Sequence, residues 1–215
     1  MVVSRDAGAI ARACEPASNY PLGVRIIAGE FRGRRLEAVP GEGTRPMLDR
    51  IKESLFSTLQ PRLEGARVLD LFAGTGGLGF EALSRGAEAV RLIERQPAAL
   101  KVLRSNAAQL GITERVEILR GDALDSSLWE VAGAPPDLVL FDSPYPLLEQ
   151  GPLRRRMFEA MRSLVLERMQ QGLLVFHSPR RVVLASEFGP GTSLEEREYG
   201  TSSLWYVQRA AEAAP

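Results

Sequence analysis

The sequence predicts an α/β fold with a mostly parallel sheet of seven strands, a small β-hairpin before that sheet and an antiparallel hairpin at its end. From residue 66 onward, short apolar strands alternate with segments of helical spacing, which indicates a parallel sheet with helices on both faces. A glycine-rich loop joins the first of these strands to its helix, as in nucleotide-binding α/β folds. The last two predicted strands meet through Gly200 without a helix between them, which is typical of an antiparallel pair.

The individual elements follow from the same patterns. An N-terminal hairpin pairs residues 24–29 with 34–39, and apolar residues at helical spacing predict a helix over 49–59. We predict the strands of the main sheet at 67–71, 89–94, 115–120, 137–141, 172–176, 193–198 and 202–209. We predict its helices at 77–85, 97–110, 124–131 and 153–170. The chain then divides into a disordered tail (1–23), an N-terminal extension (24–62), the main domain (63–209) and a second disordered tail (210–215).

The composition is that of an ordinary globular protein. The 215 residues are 45% apolar and 25% charged, which suits one sizeable domain with a small appendage. No apolar run approaches the roughly 20 residues that span a bilayer. Charged residues such as Arg5 and Asp6 interrupt the N-terminus, which therefore does not resemble a signal peptide. Cys14 is the only cysteine, so no internal disulfide can form, and we expect an intracellular, cytoplasmic protein.

The positive charge is almost entirely arginine and is unevenly distributed. The net charge is zero, which argues against a general polyanion binder, and lysine occurs only at Lys52 and Lys101. Four arginines belong to the predicted N-terminal hairpin: Arg25, Arg32, Arg34 and Arg35. Further clusters stand at 154–156 and 180–181. Guanidinium groups suit bidentate contact with phosphate. The alternatives are that a GC-rich genome causes the excess of arginine over lysine, and that the hairpin arginines only form a solvated face.

A glycine loop follows the first strand of the main domain. Gly74, Gly76 and Gly79 satisfy the pattern G-x-G-x-x-G between a strand and a helix. Glu94 stands 20 positions after Gly74, at the end of the next strand, where a ribose-binding acid is expected. This pattern by itself is compatible with a dinucleotide site, or with a tight turn that serves only helix–strand packing.

Four acidic residues at strand ends favour a different ligand. Asp70 precedes the glycines, where an anion would repel a pyrophosphate and attract an ammonium or sulfonium group. Asp122 could accept a hydrogen bond from an adenine amine, while Glu94 accepts from the ribose hydroxyls. With Asp142, these acids end four strands and should converge on one crevice, although any one alone could be a helix cap. S-adenosylmethionine has adenosine, a cationic sulfur and no phosphate, so it is the cofactor that this set suits.

Residues 142–145, Asp-Ser-Pro-Tyr, form the second motif. Asp142 and the carbonyl of Ser143 can accept from the two N–H bonds of an amine on a flat ring, and Tyr145 can cover the face of that ring. Pro144 restrains the backbone before it, which keeps the Ser143 carbonyl aimed. The alternative is an ordinary turn after a strand, because Asp, Ser and Pro are common in turns.

These motifs carry a family resemblance. Residues 70–76 resemble the first motif of class I methyltransferases, and residues 142–145 resemble their [DN]-P-P-[YF] amino-methylating motif. Residues 24–36, 44–46 and 49–56 resemble the D-type family of bacterial 16S ribosomal RNA guanine-N2 methyltransferases, which act on the small ribosomal subunit. The resemblance extends from about residue 24 to residue 207, nearly the whole chain.

The resemblance implies a Rossmann-like class I domain that transfers a methyl group from S-adenosylmethionine to the N2 amine of a guanine in 16S ribosomal RNA. The partner would be the small ribosomal subunit or an assembly intermediate, and we expect a monomer. The implied catalytic residues are Asp142, Ser143, Pro144 and Tyr145. The implied cofactor contacts are Arg45, Pro46, Asp70, Phe72, Ala73, Gly74, Thr75, Gly76, Glu94, Arg95, Asp122 and Ala123. The implied RNA contacts are Arg25, Arg32, Arg34 and Arg35.

The chain departs from the family pattern at two places. Ser143 replaces the usual proline, which keeps the carbonyl but relaxes the backbone, and Met47 and Leu48 replace a threonine-containing pair. His177 has no carboxylate beside it in the sequence to orient it, so we interpret it as a structural or rim residue. One histidine and one cysteine in the tail do not suggest a metal site.

The same residues are also compatible with other functions. The Asp-x-Pro-Tyr arrangement could also methylate adenine N6 in DNA or a glutamine side chain in a release factor. The arginine-rich hairpin favours RNA, and the lack of a separate target-recognition domain disfavours sequence-specific DNA. An NAD-dependent oxidoreductase is compatible with the glycine loop alone, and a catalytically silent RNA-binding module is compatible with Ser143.

Overall fold

The computed structural model describes residues 24–39 and 47–211. The N-terminal hairpin is present, but its strands β1 (Val24–Arg25) and β2 (Arg35–Leu36) are shorter than predicted. The reason is that the residues after β1 use their N–H groups elsewhere. The N–H groups of Ile27 and Ala28 donate to the carboxylate of Glu81, and that of Phe31 donates to the hydroxyl of Ser84. The hairpin is therefore attached to the main domain through its turn.

The main sheet has the predicted seven strands. They are β3 (Arg67–Leu71), β4 (Ala89–Glu94), β5 (Val116–Arg120), β6 (Leu138–Phe141), β7 (Leu173–Pro179), β8 (Thr192–Tyr199) and β9 (Ser202–Arg209). Their order is β5-β4-β3-β6-β7-β9-β8, with the first five parallel and β9 antiparallel to both neighbours. Because β3 lies between β4 and β6, the strand order reverses there, and in such sheets ligands bind outside the carboxyl ends of the strands at that point.

Four α-helices connect or precede these strands in the described residues. They are α1 (Asp49–Leu59), α2 (Gly79–Ser84), α3 (Pro97–Leu110) and α4 (Gly151–Ser163). Helix α2 begins two residues later than predicted because Gly77 and Leu78 remain in the glycine loop. Helix α4 continues as one turn of π-helix over Leu164–Arg168 and ends before the predicted bound.

The helix predicted over 124–131 is wrong. Only a short 3₁₀ turn forms, over Ser126–Leu128, and the Asp125 carboxylate accepts from the N–H of Ser127 at its start. Aspartate and serine side chains compete for backbone hydrogen bonds in this way, which favours turns over helix. The Trp129 indole then donates to the carbonyl of Ala123, which holds the loop against the sheet.

The core has one layer on each face of the sheet. On one face the hairpin, α1, α2 and α3 pack through residues such as Ile26, Phe80 and Leu103. On the other face α4 packs Met157 and other apolar side chains against the sheet. Alternate residues of a strand point to opposite faces, and this explains why the buried strands are apolar without interruption. Within the described ranges, no helix is long and apolar enough to cross a membrane.

Candidate active site

The four strand-end acids lie at one edge of the sheet, as predicted for parallel strands. Asp70 is the penultimate residue of β3 and Glu94 is the last residue of β4. Asp122 follows β5 by two residues, and Asp142 comes directly after β6. The point where the strand order reverses, between β3 and β6, therefore lies between Asp70 and Asp142. Each of the four also has a partner within the protein, which the sequence alone did not reveal.

The glycine loop after β3 has an unusual backbone. Phe72 has a φ of 63°, a left-handed conformation that a bulky residue rarely adopts, directly before the glycines. Gly76 has a φ of 92°, and a Cβ atom there would come within 2.3 Å of the Phe80 ring. Only glycine fits such a position without strain. The loop therefore packs closely against Phe80 of α2 and Leu103 of α3 at Gly76, whereas the space beside Gly74 is open.

Asp70 is almost fully buried, at 1% exposed. Its Oδ2 accepts from the N–H of Gly79 at 2.8 Å, at the first residue of α2. Burial raises the pKa of Asp70 to about 8; the Gly79 hydrogen bond opposes this shift, while the charges of Asp142 and Glu94 add to it. This weakens the electrostatic argument made from the sequence, because the carboxyl group keeps its proton at neutral pH. In the structure Asp70 connects β3 to the start of α2.

Glu94 connects the loop to the neighbouring strand. Its Oε2 accepts from the N–H of Gly74 at 2.9 Å, and its Oε1 accepts from the N–H of Gln96 at 2.7 Å. Each carboxylate oxygen can accept a second hydrogen bond, so both can still receive a hydroxyl. Arg95, next in the chain, is exposed.

Asp122 is the outermost of the four strand-end acids, because it follows β5, the edge strand of the sheet. Its Oδ1 accepts from the N–H of Leu124, and its Oδ2 pairs with Arg156 of α4 at 3.0 Å. Both partners in this ion pair are about half exposed, so the pair is weak and can open for a ligand. Ala123, the neighbour of Asp122, is buried.

Asn106 of α3 is a buried residue that the sequence reasoning missed. Its amide donates to the carbonyls of Glu37 and Thr75, and its oxygen accepts from the N–H of Glu37. It therefore holds the segment after β2 against the glycine loop. The sequence signal was an asparagine on the apolar face of a helix, where an unpaired amide would be costly.

Residues 142–145 form a hydrogen-bonded group with two residues that are distant in sequence. The Nδ1 of His177 lies 2.8 Å from Oδ1 of Asp142, and its Nε2 lies 3.0 Å from the Tyr145 hydroxyl. The same hydroxyl lies 3.3 Å from Oγ of Ser202. No carboxylate stands beside His177 in the sequence, but the pairing of β6 with β7 brings Asp142 beside it in space.

Ser143 and Pro144 complete the turn. Ser143 is 2% exposed, and its hydroxyl has no hydrogen-bond partner among the described residues. Pro144 is exposed, with φ −55° and ψ 128°, and a 3₁₀ turn starts after it at Tyr145. A narrow apolar cleft, too tight for water, adjoins Asp142 and His177. It is lined by Met47, Leu55, Leu78, Leu140, Phe141, Val175 and Leu204.

The hairpin arginines are exposed. Arg32, Arg34 and Arg35 lie at the surface, whereas Arg25 pairs with Asp49 at 2.8 Å. Of the 154–156 cluster, Arg154 has a structural role, because it pairs with Glu187 and donates to backbone carbonyls. The predicted cofactor residues Arg45 and Pro46, and the tail over 1–23, lie outside the described residues.

Comparison with known proteins places the chain in a family. A family model described as "Conserved hypothetical protein 95" matches residues 24–208. A Bacillus subtilis protein named "Putative rRNA methyltransferase YlbH" is 33% identical over 186 residues, which are 84% of this chain and 96% of that protein. The "Ribosomal RNA small subunit methyltransferase D" of Haemophilus influenzae is 42% identical over 124 residues, which are 57% of this chain and 64% of that protein.

Solved structures agree with this result. A structure titled "Putative methyltransferase yhhF from Escherichia coli" is 32% identical, has a TM-score of 0.71, and is matched over 88% of this chain and 99% of its own. The family match over residues 24–208 includes both the N-terminal hairpin and the main sheet. The chain therefore belongs to the Conserved hypothetical protein 95 family, and it is similar in sequence to proteins named as ribosomal RNA methyltransferases.

Proposed function

We propose that this protein transfers a methyl group from S-adenosylmethionine to the exocyclic N2 amine of a guanine in 16S ribosomal RNA. One observation carries the proposal. Asp142 and Tyr145 stand at the end of β6, next to the glycine loop after β3, in a chain whose relatives are named as ribosomal RNA methyltransferases. An acceptor for an amine and an aromatic face for a base thus adjoin a nucleoside-type crevice.

The residues of that crevice fit S-adenosylmethionine. Glu94 has acceptor capacity for the ribose hydroxyls, and Asp122 has an exposed carboxylate for an adenine amine. The loop leaves open space beside Gly74, where a Cβ atom would meet no atom within 4 Å. A dinucleotide would bring phosphates close to the carboxylates of Glu94 and Asp122, which repel them, whereas S-adenosylmethionine carries no phosphate. When bound, this cofactor supplies a methyl group on a positively charged sulfur, which keeps the bonding electrons as that group leaves.

The protein's own residues hold and polarise the amine. The N2 lone pair of guanine is delocalised into the ring and is a poor nucleophile. Acceptance of its N–H bonds by Asp142 and by the Ser143 carbonyl favours the pyramidal amine that forms the new N–C bond. Tyr145 covers the face of the base, which must leave its RNA stack to reach this pocket. The amine loses one proton in the step, to Asp142 or to water.

RNA recognition is assigned to the hairpin. Arg32, Arg34 and Arg35 are exposed, and no hydrogen bond or ion pair joins their side chains to other described residues. They are therefore available for phosphate, which guanidinium binds in bidentate geometry. The assembled small subunit or a precursor would be the partner, with the protein as a monomer in the cytoplasm.

The test uses small subunits from cells that lack the modification. The purified protein is incubated with methyl-labelled S-adenosylmethionine and these subunits, and the RNA is digested to nucleosides. We expect label in N2-methylguanosine. Asp142→Ala should lower turnover by about a hundredfold or more, because an acceptor present in the transition state is removed.

Asp125→Ala is the matched control, because it removes an exposed aspartate that hydrogen-bonds only within its own turn. It should retain wild-type turnover. Label in N6-methyladenosine or in a protein would contradict the substrate assignment. No label with any subunit preparation under saturating cofactor would favour the silent RNA-binding alternative.

A further inference from the structure

Asp142, His177, Tyr145 and Ser202 form a continuous row of hydrogen-bonding groups, and strand register brings them together. Phe141 of β6 pairs with Phe176 of β7, so the next residues, Asp142 and His177, lie side by side on the opposite face. Pro179 of β7 pairs with Ser202 of β9, which brings the serine to the same end of the sheet. His177 and Ser202 are each 7% exposed, so water competes little for these contacts.

With Asp142 ionised and His177 neutral, the direction of every hydrogen bond in the row follows. An ionised carboxylate only accepts, so the Nδ1 of His177 must donate to Asp142. In a neutral imidazole the other nitrogen is then an acceptor, so the Tyr145 hydroxyl donates to Nε2. That leaves the Tyr145 oxygen to accept from the Ser202 hydroxyl. All donors therefore point towards Asp142.

We infer that His177 is a positioning residue, which holds both the acceptor and the aromatic platform of the site in one arrangement. With Oδ1 engaged by His177, Asp142 presents Oδ2 to the substrate amine. The Tyr145 ring is held through its hydroxyl, and it packs against the imidazole with ring centroids 5.5 Å apart. The inference extends the proposed function and rests on it for the identity of the amine.

The row also bears on the fate of the substrate proton. A proton taken up by Asp142 cannot leave through His177 unless every hydrogen bond in the row reverses, because Nδ1 already carries a proton. In this arrangement Oδ2 is the oxygen left for the amine, and a proton that it receives would exchange with solvent. His177 therefore orients Asp142 and does not relay the proton from the amine.

The tautomer of His177 can be measured directly, because it is the only histidine in the chain. The full-length protein with ¹⁵N-labelled histidine gives one imidazole by NMR, and the ring couplings identify the protonated nitrogen. At pH 8, without cofactor, we expect a neutral ring with the proton on Nδ1. Tyr145→Phe should shift the Nε2 resonance, and Tyr206→Phe, whose hydroxyl has no place in the row, should leave it unchanged. A proton on Nε2, or an imidazolium, would overturn the inference.

Kinetics supply the second readout. His177→Ala should lower turnover by about tenfold to a hundredfold at saturating substrates, as expected for a misplaced reacting group, while KM for the cofactor changes less than about twofold. His177→Asn keeps an N–H near the Nδ1 position and should recover most of the lost turnover. Equal loss in both variants, or wild-type turnover in His177→Ala, would contradict the positioning role.

The two claims fail differently. If the wild-type protein makes no N2-methylguanosine, the proposed function is wrong, and the NMR result still decides whether the directed row exists. If the wild-type protein makes it and His177→Ala is as fast, only the inference about His177 is wrong.

Discussion

The carboxyl group of Asp70 lies in the core, where it behaves differently from an exposed aspartate. Its pKa rises from 3.8 to about 8, chiefly because burial disfavours the charged form. Between those pH values the folded chain binds one proton more at this site than the unfolded chain. The resulting stabilisation is complete below about pH 4 and is lost as the pH rises towards 8.

The first prediction concerns this pH dependence. The free energy of unfolding of the cofactor-free wild type, minus that of Asp70→Asn, should fall by up to about 1.4 kcal/mol for each unit between pH 5 and pH 8. Urea unfolding at four pH values measures it. Asp125→Asn is the control, because hydrogen bonds from Ser127 lower the pKa of Asp125 and its contribution is constant in this range. Parallel curves for wild type and Asp70→Asn would contradict the assignment.

The second prediction concerns the buried hydroxyl of Ser143. This hydroxyl has no partner among the described residues, and such a group costs about 1–3 kcal/mol. Ser143→Ala should therefore raise the free energy of unfolding by about 1 kcal/mol. Methyl transfer should persist, since the backbone carbonyl is unchanged. A stable but inactive variant would show that the hydroxyl contacts the reactants.

At the scale of elements, a buried charge cluster joins the hairpin, α1 and α2. Glu81 of α2 is fully buried and lies 3.1 Å from Nζ of Lys52 and 2.7 Å from Nε of Arg85. It also accepts from the N–H groups of Ile27 and Ala28. Lys52 donates in turn to the carbonyls of Arg25 and of the glycine loop. Burial lowers the pKa of Lys52, which Glu81 opposes. Glu81 and Lys52 thus hold the hairpin and the glycine loop together.

The third prediction compares the two ends of this cluster. Glu81→Gln leaves two buried cations without their counter-charge and should lower the free energy of unfolding by about 3–5 kcal/mol. Lys52→Met leaves Glu81 with Arg85 and two backbone donors, so its cost should be smaller. Urea unfolding of both variants measures the difference. Equal losses would mean that the cluster stabilises through packing alone.

At the scale of the whole molecule, the hairpin with its exposed arginines packs directly on the domain that contains the glycine loop and the strand-end acids. The hairpin packs on the same face of the sheet as α1, α2 and α3, opposite α4. Under the proposed function, a base held at Tyr145 would belong to RNA whose phosphates reach the hairpin. This arrangement would let a small, electrically neutral protein bind RNA through a local concentration of charge.

The fourth prediction tests that surface. Arg34→Glu with Arg35→Glu should weaken binding to small subunits and reduce the slope of log affinity against log salt by about 1.4–1.8, because two phosphates are no longer neutralised. The matched control is Arg155→Glu with Arg168→Glu, on the opposite face, with the same change in net charge. Equal effects of the two pairs would indicate non-specific attraction. No effect of the hairpin pair would show that this surface does not bind RNA.

The local sequence pattern predicts those helices and strands correctly whose backbone hydrogen bonds are not taken by distant side chains. The helix over 97–110 was predicted to the residue, since it starts at Pro97 and ends before Gly111, which has the left-handed φ of 73° that caps a helix. The strands over 67–71 and 89–94 were also predicted to the residue, because apolar runs between turn residues have few alternatives. The hairpin strands were predicted too long, because Glu81, some 50 residues away, takes the N–H groups that would have paired.

The sequence by itself determined the fold class, the family, the glycine loop and the four acids at the strand ends, because each depends on residues close together in the chain. Only the tertiary structure decided which acid is buried, which arginines are already paired, and that Asp142 has His177 beside it. Those properties depend on strand register and on distances between residues far apart in sequence. Burial and charge pairing act through space, so the chemistry of a side chain is settled only when its neighbours are in place.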